Sequence, residues 1–347
     1  MQYIANTLAK FEPVEIISPS GVTGKETSGS SYKMIGDNIS LRLFFSPGRK
    51  KHVGKLSTLI TMLGFASYLL FHLDRNEKVI VYHSMGYCRL LYYLKKIKKF
   101  YLILEMEELY SDVNNHKNER RLELKLAGIA DAFIFPTTLL GKAVNTAGKP
   151  EIIIHGTYQI EPELQAAFSK SKSIHCVYAG TFDPRKGGAA AAAAAAYLPE
   201  RYHIHILGFG SESEKEKMKD TIDAVSKNSK AKITYDGMLT GENYIRFIQS
   251  CDIGLSTQNP DAAFNATSFP SKILSYMANG LRVVSIRIPA IEQSAVGDML
   301  YYYDKQTPEE IAKAIMSVNM QDAYNGRKRI QELDKGFQDD LRKILES

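Results

Sequence analysis

The chain has 347 residues, of which 44% are hydrophobic and 24% charged, and its formal net charge is +6. This length exceeds that of one compact core of the usual size, so we expect two domains of about 150 residues each. The three cysteines are far apart, which excludes a metal-binding spacing, and each lies in an apolar stretch. They are typical of structural thiols in a reducing compartment.

The positive charge is concentrated in the first half of the chain. Residues 1–158 contain 21 Lys and Arg against 14 Asp and Glu, whereas the remainder contains 23 against 24. Basic residues cluster at 49–52 with Lys55 and at 95–99, in both cases beside apolar runs. This pattern predicts attraction to anionic lipid headgroups, the alternative being solvated helix ends. No motif of a known nucleic-acid-binding module is present, so we expect no nucleic acid partner.

The chain begins with a helix and then a strand, an unusual order for an α/β domain. Residues 1–10 have a helical pattern, and residues 14–18 form an apolar run typical of a strand. Because such domains normally open with a strand, we expect the first strand of this domain to be missing, the alternative being a domain of unusual build. Met1 leads directly into the amphipathic residues, so no signal peptide is expected. Residues 22–38 are polar and rich in Gly and Ser, which predicts a mobile loop.

A strand at residues 39–45 precedes a helix at 55–72, which lies in the most apolar stretch of the chain. That stretch, residues 56–73, runs for only 18 residues and contains polar side chains such as Ser57 and Thr61. A membrane span needs about 20 predominantly apolar residues. We therefore expect a core helix, and a membrane span is the alternative.

Two buried strands then end in candidate catalytic residues. Residues 79–82 and 101–104 are continuous apolar runs, the first followed by His83 and the second by a glutamate-rich stretch that contains Glu107. The carboxyl ends of parallel strands meet at one edge, where open α/β sheets bind ligands. His83 and Glu107 are therefore candidates for catalysis, and the alternatives are a core or capping histidine and a solvated loop. Further strands are expected at 131–135 and 151–154.

A polar segment at residues 158–172 is the expected linker between the domains. After it, a strand at 175–179 leads into the glycine-rich basic loop 180–188 and then into an alanine-rich helix. Strand, loop and helix in this order predict a phosphate cradle, in which backbone N–H groups and Lys186 would hold a diphosphate. The loop matches neither the Walker pattern nor GxGxxG, so the signal is weak on its own.

Strands and helices alternate regularly over the rest of the chain. A glycine or another small residue closes each predicted strand, which is typical of a second doubly wound parallel sheet. The strands are expected at 202–207, 233–235 and 253–256, with helices at 213–225 and 242–250 between them. Two terminal helices are expected at 308–318 and 322–346.

The stretch FNATSFPSKILSYMANGLRVVS, at residues 264–285, predicts a loop, a helix, a glycine stop and a buried strand. Pro270 suits a first helical turn, where free backbone N–H groups attract anions, and Ser271 and Lys272 add a hydroxyl and an ammonium group. We therefore expect a phosphate at this helix start. The alternative is an ordinary βα unit.

Four of these motifs, in their order and spacing, resemble the donor-binding half of GT-B glycosyltransferases, in particular the large retaining family 4. The motifs are YAGTFDPRKGG, HILGFG, ITYDGMLTGENYIRFIQSCDIGLS and SFPSKILSYMANGLRVVS. The first half of the chain resembles the family only in outline. The resemblance implies two doubly wound, Rossmann-like α/β domains facing a cleft. They are an acceptor-binding domain at 1–157 and a nucleotide-sugar-binding domain at 173–320, with a C-terminal helix at 321–347 packing back on the first domain.

The resemblance also implies roles for individual residues. Lys186 and Lys272 would stabilise the charge on the leaving diphosphate, and Glu107 and His83 complete the set of candidate catalytic residues. The donor would be bound by Gly180, Thr181, Arg185, Gly187, Gly208, Gly210, Gly237, Met238, Ser268, Phe269, Pro270 and Ser271. No cofactor and no metal ligand are expected, which agrees with the lack of an Asp-x-Asp motif in the sequence.

The sequence departs from the family pattern at several positions. Thr181 stands where an arginine is usual, and Thr267 and Ser275 replace a pair of glutamates spaced eight residues apart. The chain thus resembles members that carry a Ser/Phe-Pro-Ser-Lys version of the motif. Glu107 falls where many members have a histidine, and the N-terminal glycine-rich loop of the family is not present in the sequence.

The favoured hypothesis is a cytoplasmic glycosyltransferase peripheral to the inner face of the membrane. It would be retaining and would move a hexose from a nucleotide diphosphate sugar, with a UDP-sugar favoured, to a lipid-linked or glycan acceptor in cell-surface glycan synthesis. The expected partners are this donor, this acceptor and an anionic membrane surface, with a homo- or hetero-oligomer left open. A catalytically silent nucleotide-sugar-binding subunit and a nucleotide-sugar epimerase are the alternatives, because fold alone does not determine function.

Overall fold

The computed structural model describes residues 2–21, 32–45, 54–111, 117–167 and 173–346. The chain divides into two compact units. The first consists of Met1–Ile134, Val144–Ile152 and Gln338–Ser347, and the second of Phe135–Ala143 and Ile153–Phe337. The described part of the predicted linker therefore lies within the second unit. The predicted domain boundaries otherwise stay predictions.

The strands up to residue 153 form two sheets. One has the order β1-β3-β2, in which β3 is parallel to β1 and antiparallel to β2, and the other has the order β4-β5-β6-β7. The strands are β1 (Val14–Gly21), β2 (Tyr32–Gly36), β3 (Ile39–Phe44), β4 (Lys78–Tyr82), β5 (Tyr101–Glu105), β6 (Ala132–Phe135) and β7 (Glu151–Ile153). Strands β5 and β6 are almost wholly buried, as expected for parallel strands covered on both faces.

The prediction of a mobile loop over residues 22–38 is wrong for Tyr32–Gly36, because these residues pair with β3. Residues 22–31 lie outside the described residues, as do residues 49–52 of the first basic cluster. The helices of this half of the chain are Gln2–Leu8, Gly54–His72, Cys88–Lys98, Lys117–Ala127 and Thr138–Val144.

The helix Gly54–His72 buries polar side chains near its start and exposes leucines. Ser57 and Thr61 face inwards and are buried, with the Thr61 hydroxyl donating to the Phe45 carbonyl at 3.0 Å. Leucines at positions 56, 59, 63 and 70 are exposed instead. The prediction of a core helix is therefore wrong for this outer face. Among the described residues, no helix is both long and apolar enough to cross a bilayer.

The second unit is built on a six-stranded parallel sheet with the order β10-β9-β8-β11-β12-β13. Its strands are β8 (Ile174–Thr181), β9 (Tyr202–Phe209), β10 (Lys232–Gly237), β11 (Ile253–Ser256), β12 (Arg282–Ile286) and β13 (Tyr301–Tyr303). This is the strand order of a doubly wound Rossmann sheet, whose ligand crevice lies where the order reverses, between β8 and β11. The predicted second doubly wound sheet is confirmed, although the sequence did not predict the short strand β13.

Helices connect these strands. They are Gly188–Ala193, Glu212–Ser226, Gly241–Gln249, Lys272–Ala278, Pro289–Glu292, Pro308–Ser317 and Gly326–Glu346. The helix Glu212–Ser226 starts at a capping box, in which Ser211 and Glu214 each bond the other's backbone N–H, so its first turn is set by the local sequence. All three cysteines of the chain are buried and form no disulfide.

The last helix, Gly326–Glu346, contributes to both units. Near its start, the Arg327 guanidinium donates to the Glu161 carbonyl at 2.7 Å within the second unit. Near its end, the Lys78 ammonium donates to the Ile344 carbonyl at 3.2 Å within the first unit. A single helix therefore completes the packing of two different cores.

The helix Lys272–Ala278 packs closely on β11 because β11 contains Gly254. A Cβ atom at Gly254 would overlap the ring of Tyr276, which is fully buried. The Tyr276 hydroxyl accepts the Ala179 N–H at 2.8 Å, so this ring reaches across β11 to β8. Glycine at position 254 thus fixes the distance between the helix and the sheet.

We expect Gly254→Ala to destabilise the protein by about 2 kcal/mol, because the added methyl group forces the Tyr276 ring out of its place. Gly336→Ala is the matched control: nothing lies within 4 Å of the Cβ that it would add on the last helix. Alanine in a helix interior is favoured over glycine by about 0.5–1 kcal/mol, so this variant should be slightly more stable. Urea denaturation of both variants measures the two effects. Equal stability of the two variants would contradict the packing described here.

Candidate functional site

Two loops meet at the crevice between β8 and β11. The loop after β8 ends at Gly187, which has φ +79°, and a Cβ there would overlap the Thr257 carbonyl oxygen after β11. The Thr257 hydroxyl donates to the Gly187 carbonyl at 2.7 Å, and the Asn259 N–H donates to the Arg185 carbonyl at 2.9 Å. Only glycine combines this conformation with this close approach. The two loops are thus held together at the edge of the sheet where ligands bind.

Lys186 and Lys272 lie close together in this crevice. The Lys272 Nζ is 4.1 Å from the centre of the Tyr178 ring, and the Lys186 Nζ is 4.5 Å from the centre of the Phe264 ring. Burial, and secondarily the charge of Lys186, lower the pKa of Lys272 to about 7. Within the described part of the chain, the Lys272 Nζ is buried and has no hydrogen-bond partner. A buried ammonium group without a partner is costly, and an anion would remove that cost.

Glycines leave room around the Lys272 ammonium. A Cβ atom at Gly180 would lie 3.2 Å from the Lys272 Nζ and 3.2 Å from the Tyr178 hydroxyl. Gly208 on β9 is the register partner of Gly180. A Cβ atom at Gly208 would overlap the Gly180 carbonyl oxygen. Glycine at these two positions therefore lets the ends of β8 and β9 pack closely against each other and leaves the Lys272 ammonium beside bare backbone.

Other predicted donor-binding residues already have partners within the protein. Arg185 forms a bidentate ion pair with Asp183, at 2.7 and 3.1 Å, and this bond lowers the pKa of the Asp183 carboxyl. The Thr181 carbonyl accepts the Tyr178 hydroxyl at 2.8 Å. The Ser268 hydroxyl donates to the Phe264 carbonyl at 2.7 Å. Arg185 is thus largely neutralised before any ligand binds.

The segment before the helix Lys272–Ala278 differs from the prediction. Pro270 precedes Ser271, which is itself the residue before the helix, so the predicted place of Pro270 in the first turn is wrong. Phe269 is buried with its ring centre 4.9 Å from that of His155, and Ser271 is exposed. Lys272 is consequently the first residue of the helix.

The remaining predicted residues lie at the carboxyl ends of β9 and β10, on the same edge of the sheet. A Cβ at Gly210 would lie 2.9 Å from the Glu214 carboxylate, so this position is crowded. Gly237 has φ +79° with open space around it, and Met238 is 60% exposed. Gly237 and Met238 therefore offer backbone groups to a ligand, whereas Gly210 serves local packing.

His83 and Glu107 belong to the first unit. His83 is buried, its Nε2 lies 3.6 Å from the Glu123 carboxylate, and burial lowers its pKa to about 4, so the ring is neutral at pH 7. This placement favours the core-histidine alternative for His83. Glu107 is exposed and accepts a hydrogen bond from the Tyr82 hydroxyl at 3.0 Å. The catalytic role of both residues stays a prediction.

The aromatic residues that flank the two lysines were not among the residues predicted for the site. Tyr178 and Phe264 place their rings against the Lys272 and Lys186 ammonium groups, a contact that stabilises a cation away from water. Tyr178 lies in a buried strand, where an aromatic side chain normally indicates only a core, and Phe264 lies in a loop segment without any recognisable motif of its own. Thr257 was missed as well, although it follows β11 directly at the switch point.

Known proteins resemble this chain in part of its sequence and in its fold. Residues 173–319 match the family described as glycosyl transferases group 1. No curated relative matches the chain by sequence. Three solved structures illustrate the likeness in fold. A UDP-forming α,α-trehalose-phosphate synthase from Burkholderia xenovorans has a TM-score of 0.66 at 10% identity, over 98% of this chain and 92% of its own.

The second is a trehalose-6-phosphate protein from E. coli bound with UDP-2-fluoro glucose, with a TM-score of 0.66 at 13% identity over 98% of this chain and 92% of its own. The third, HepE from Anabaena in complex with UDP and glucose, has a TM-score of 0.62 at 15% identity over 90% and 87%. These likenesses confirm the predicted fold class of two Rossmann-like domains. The chain therefore has the GT-B fold, and its residues 173–319 match the glycosyl transferases group 1 family.

Proposed function

We propose that the protein is a retaining glycosyltransferase that transfers a hexose from a nucleotide diphosphate sugar to a lipid-linked or glycan acceptor in cell-surface glycan synthesis. The observation that carries this proposal is the buried Lys272 ammonium, which has no hydrogen-bond partner within the described chain and lies beside Lys186 at the switch point of the sheet. A UDP-sugar is the favoured donor, since HepE and the E. coli protein of similar fold were solved with UDP and a UDP-sugar analogue.

The two lysines suit the leaving group of this reaction. When the bond between the anomeric carbon and the diphosphate oxygen breaks, negative charge develops on the diphosphate, and fixed ammonium groups stabilise it. A bound diphosphate also favours the protonated form of Lys272 and so reverses the effect of burial on its pKa. The acceptor oxygen bonds to the anomeric carbon on the same face, and its proton passes to the departing phosphate. We expect no metal requirement, because the ammonium groups supply the positive charge.

The acceptor side of the reaction is assigned to the first unit. Glu107 is exposed, and its carboxylate is oriented by the Tyr82 hydroxyl, so it can accept a hydrogen bond from an acceptor hydroxyl group. His83 is buried and neutral, and we assign it a structural role in the core below Glu107. In this proposal Lys272 of the Ser/Phe-Pro-Ser-Lys motif contacts the phosphates of the donor.

We further propose that the first unit binds an anionic membrane surface. Leu56, Leu59, Leu63 and Leu70 recur on one side of the helix Gly54–His72 and are exposed by 39–58%, while Lys55 lies at its start. The helix Cys88–Lys98 of the same unit adds exposed Tyr93 and Ile97 among its lysines. An apolar face with nearby basic groups is the pattern that binds an anionic lipid interface.

Purified protein should release nucleoside diphosphate from a UDP-sugar when a suitable acceptor is present, and Lys272→Ala should lower this turnover at least about 100-fold, as expected for losing a charge contact to the leaving group. Lys335→Ala, at an exposed position on the last helix, should leave turnover unchanged. Release of nucleoside diphosphate is measured for the wild type and both variants with a panel of donors and acceptors. UDP binding by calorimetry without transfer in any mixture would favour the silent-subunit alternative, and isomerisation of the donor without acceptor would favour an epimerase.

Lys272→Met should raise the stability of the free protein at pH 7 by a few kcal/mol, because it removes a buried ammonium group whose pKa is lowered from 10.5 to about 7. The cost of the wild-type lysine is complete below pH 7 and declines as the pH rises towards 10.5, since the folded state then holds fewer protons than the unfolded state. The stability difference should therefore shrink between pH 7 and pH 9. Thermal unfolding in a phosphate-free buffer, with Lys335→Met as control, measures it. A difference that grows with pH would contradict the assigned burial.

Leu59→Ser combined with Leu63→Ser should weaken binding to vesicles containing phosphatidylglycerol by about tenfold or more, because two apolar side chains no longer enter the interface. Leu124→Ser is the control, since Leu124 is exposed on a different helix of the same unit. Co-sedimentation with vesicles at low salt measures the effect. If both variants bind as the wild type does, the membrane face lies elsewhere.

A further inference from the structure

Three histidines of the second unit lie side by side on one face of its sheet. His175 on β8 and His203 on β9 are register partners, and His205 follows two residues later on the same face of β9. All three side chains are buried, and one ring nitrogen from each lies within 4.8 Å of the others. Two adjacent parallel strands thus place three imidazole rings next to one another.

Hydrogen bonds orient these rings. The His205 Nδ1 lies 3.1 Å from the Asp236 carboxylate, which fixes the proton on that nitrogen and leaves Nε2 as an acceptor. That Nε2 lies 2.9 Å from the His175 Nδ1. The His203 Nε2 is 3.0 Å from the Thr234 hydroxyl on β10. A carboxylate that holds one nitrogen of a histidine while the other points at its neighbours is the arrangement that orients metal-binding histidines.

The surroundings of the cluster suit metal coordination. All three imidazole side chains are buried, and the Asp236 carboxylate lies 3.1 Å from the His205 Nδ1. Neutral imidazole nitrogens are ligands for zinc and related divalent metals, and the nearby Asp236 carboxylate offsets part of the charge of such an ion.

We propose that His175, His203 and His205 bind a divalent transition-metal ion of the zinc type. Three imidazole nitrogens supply three of the four positions of a tetrahedral site. Asp236 lies in the second shell and orients His205. The ion would join β8 to β9 and, through Asp236, to β10.

The position of the cluster assigns the ion a structural role. His175 is the second residue of β8, whereas Gly180 is near its other end, about 16 Å away at the usual rise of a strand. The proposed ion therefore lies away from the lysines of the donor site and does not take part in the transfer reaction. The metal site does not depend on the proposed function.

The test uses the untagged, full-length protein after treatment with a chelator. We expect Zn²⁺ to bind with a stoichiometry of one per chain by calorimetry, and Co²⁺ at the same site to give the visible absorption bands of tetrahedral coordination. Zinc X-ray absorption should show three nitrogen ligands at about 2.0–2.1 Å. Absence of saturable binding, or a shell of oxygen ligands alone, would overturn the proposal and leave a hydrogen-bonded histidine cluster.

Variants locate the ion without relying on activity. His203→Gln and His205→Gln should each weaken Zn²⁺ binding at least 100-fold, and Asp236→Asn should weaken it by about 10–100-fold, the range seen for partners that orient a metal ligand. His72→Gln is the control, since His72 is an exposed histidine of the first unit. Unchanged binding in a folded His205→Gln protein would place the ion elsewhere. If the variants do not fold, the wild-type X-ray absorption decides.

Discussion

The second unit depends on holding one lysine ammonium group out of water at the edge of a parallel sheet. Gly254 lets the helix that carries Lys272 approach β11, Gly180 leaves space for the ammonium itself, and Gly187 closes the neighbouring loop on Thr257. Tyr178 supplies an aromatic face in place of solvent. A charge kept in this way lowers stability, and a bound anion would offset that cost. In the proposed function the diphosphate of the donor is this anion.

Much of the second unit was predictable, because a glycine or another small residue closes several of its short strands. The parallel sheet and the resemblance to the glycosyltransferase family followed from these motifs. Lys186 was predicted from its glycine-rich basic loop, and Lys272 from its place at a helix start beside Pro270 and Ser271. The proximity of these two lysines was harder to predict from the sequence. It depends on the pairing of β8 with β11, and spacing along the chain does not indicate which strands pair. Tyr178 and Phe264 gave no signal distinct from that of core residues. The His203-x-His205 pair was visible in the sequence, but its third member comes from another strand.

The first unit was harder to predict, for reasons that are physical as well. β2 lies in a polar, glycine-rich stretch and is set by pairing with β3 rather than by its own composition. The helix Gly54–His72 buries Ser57 and Thr61 and exposes leucines, so its apolar composition predicted a core helix without indicating which side chains are buried. A sequence pattern reports how apolar a segment is. It does not indicate whether the apolar side is covered by protein, by a lipid interface or by solvent.

The last helix limits where a chimera of this protein can be joined. It begins among residues of one unit, where Arg327 bonds the Glu161 carbonyl, and ends where Lys78 bonds the Ile344 carbonyl of the other. A chimera made by cutting at residues 158–172 would therefore remove the final turns from the core that they complete. A chimera that exchanges the second unit therefore needs another junction near Phe337, so that each unit retains its own share of the helix.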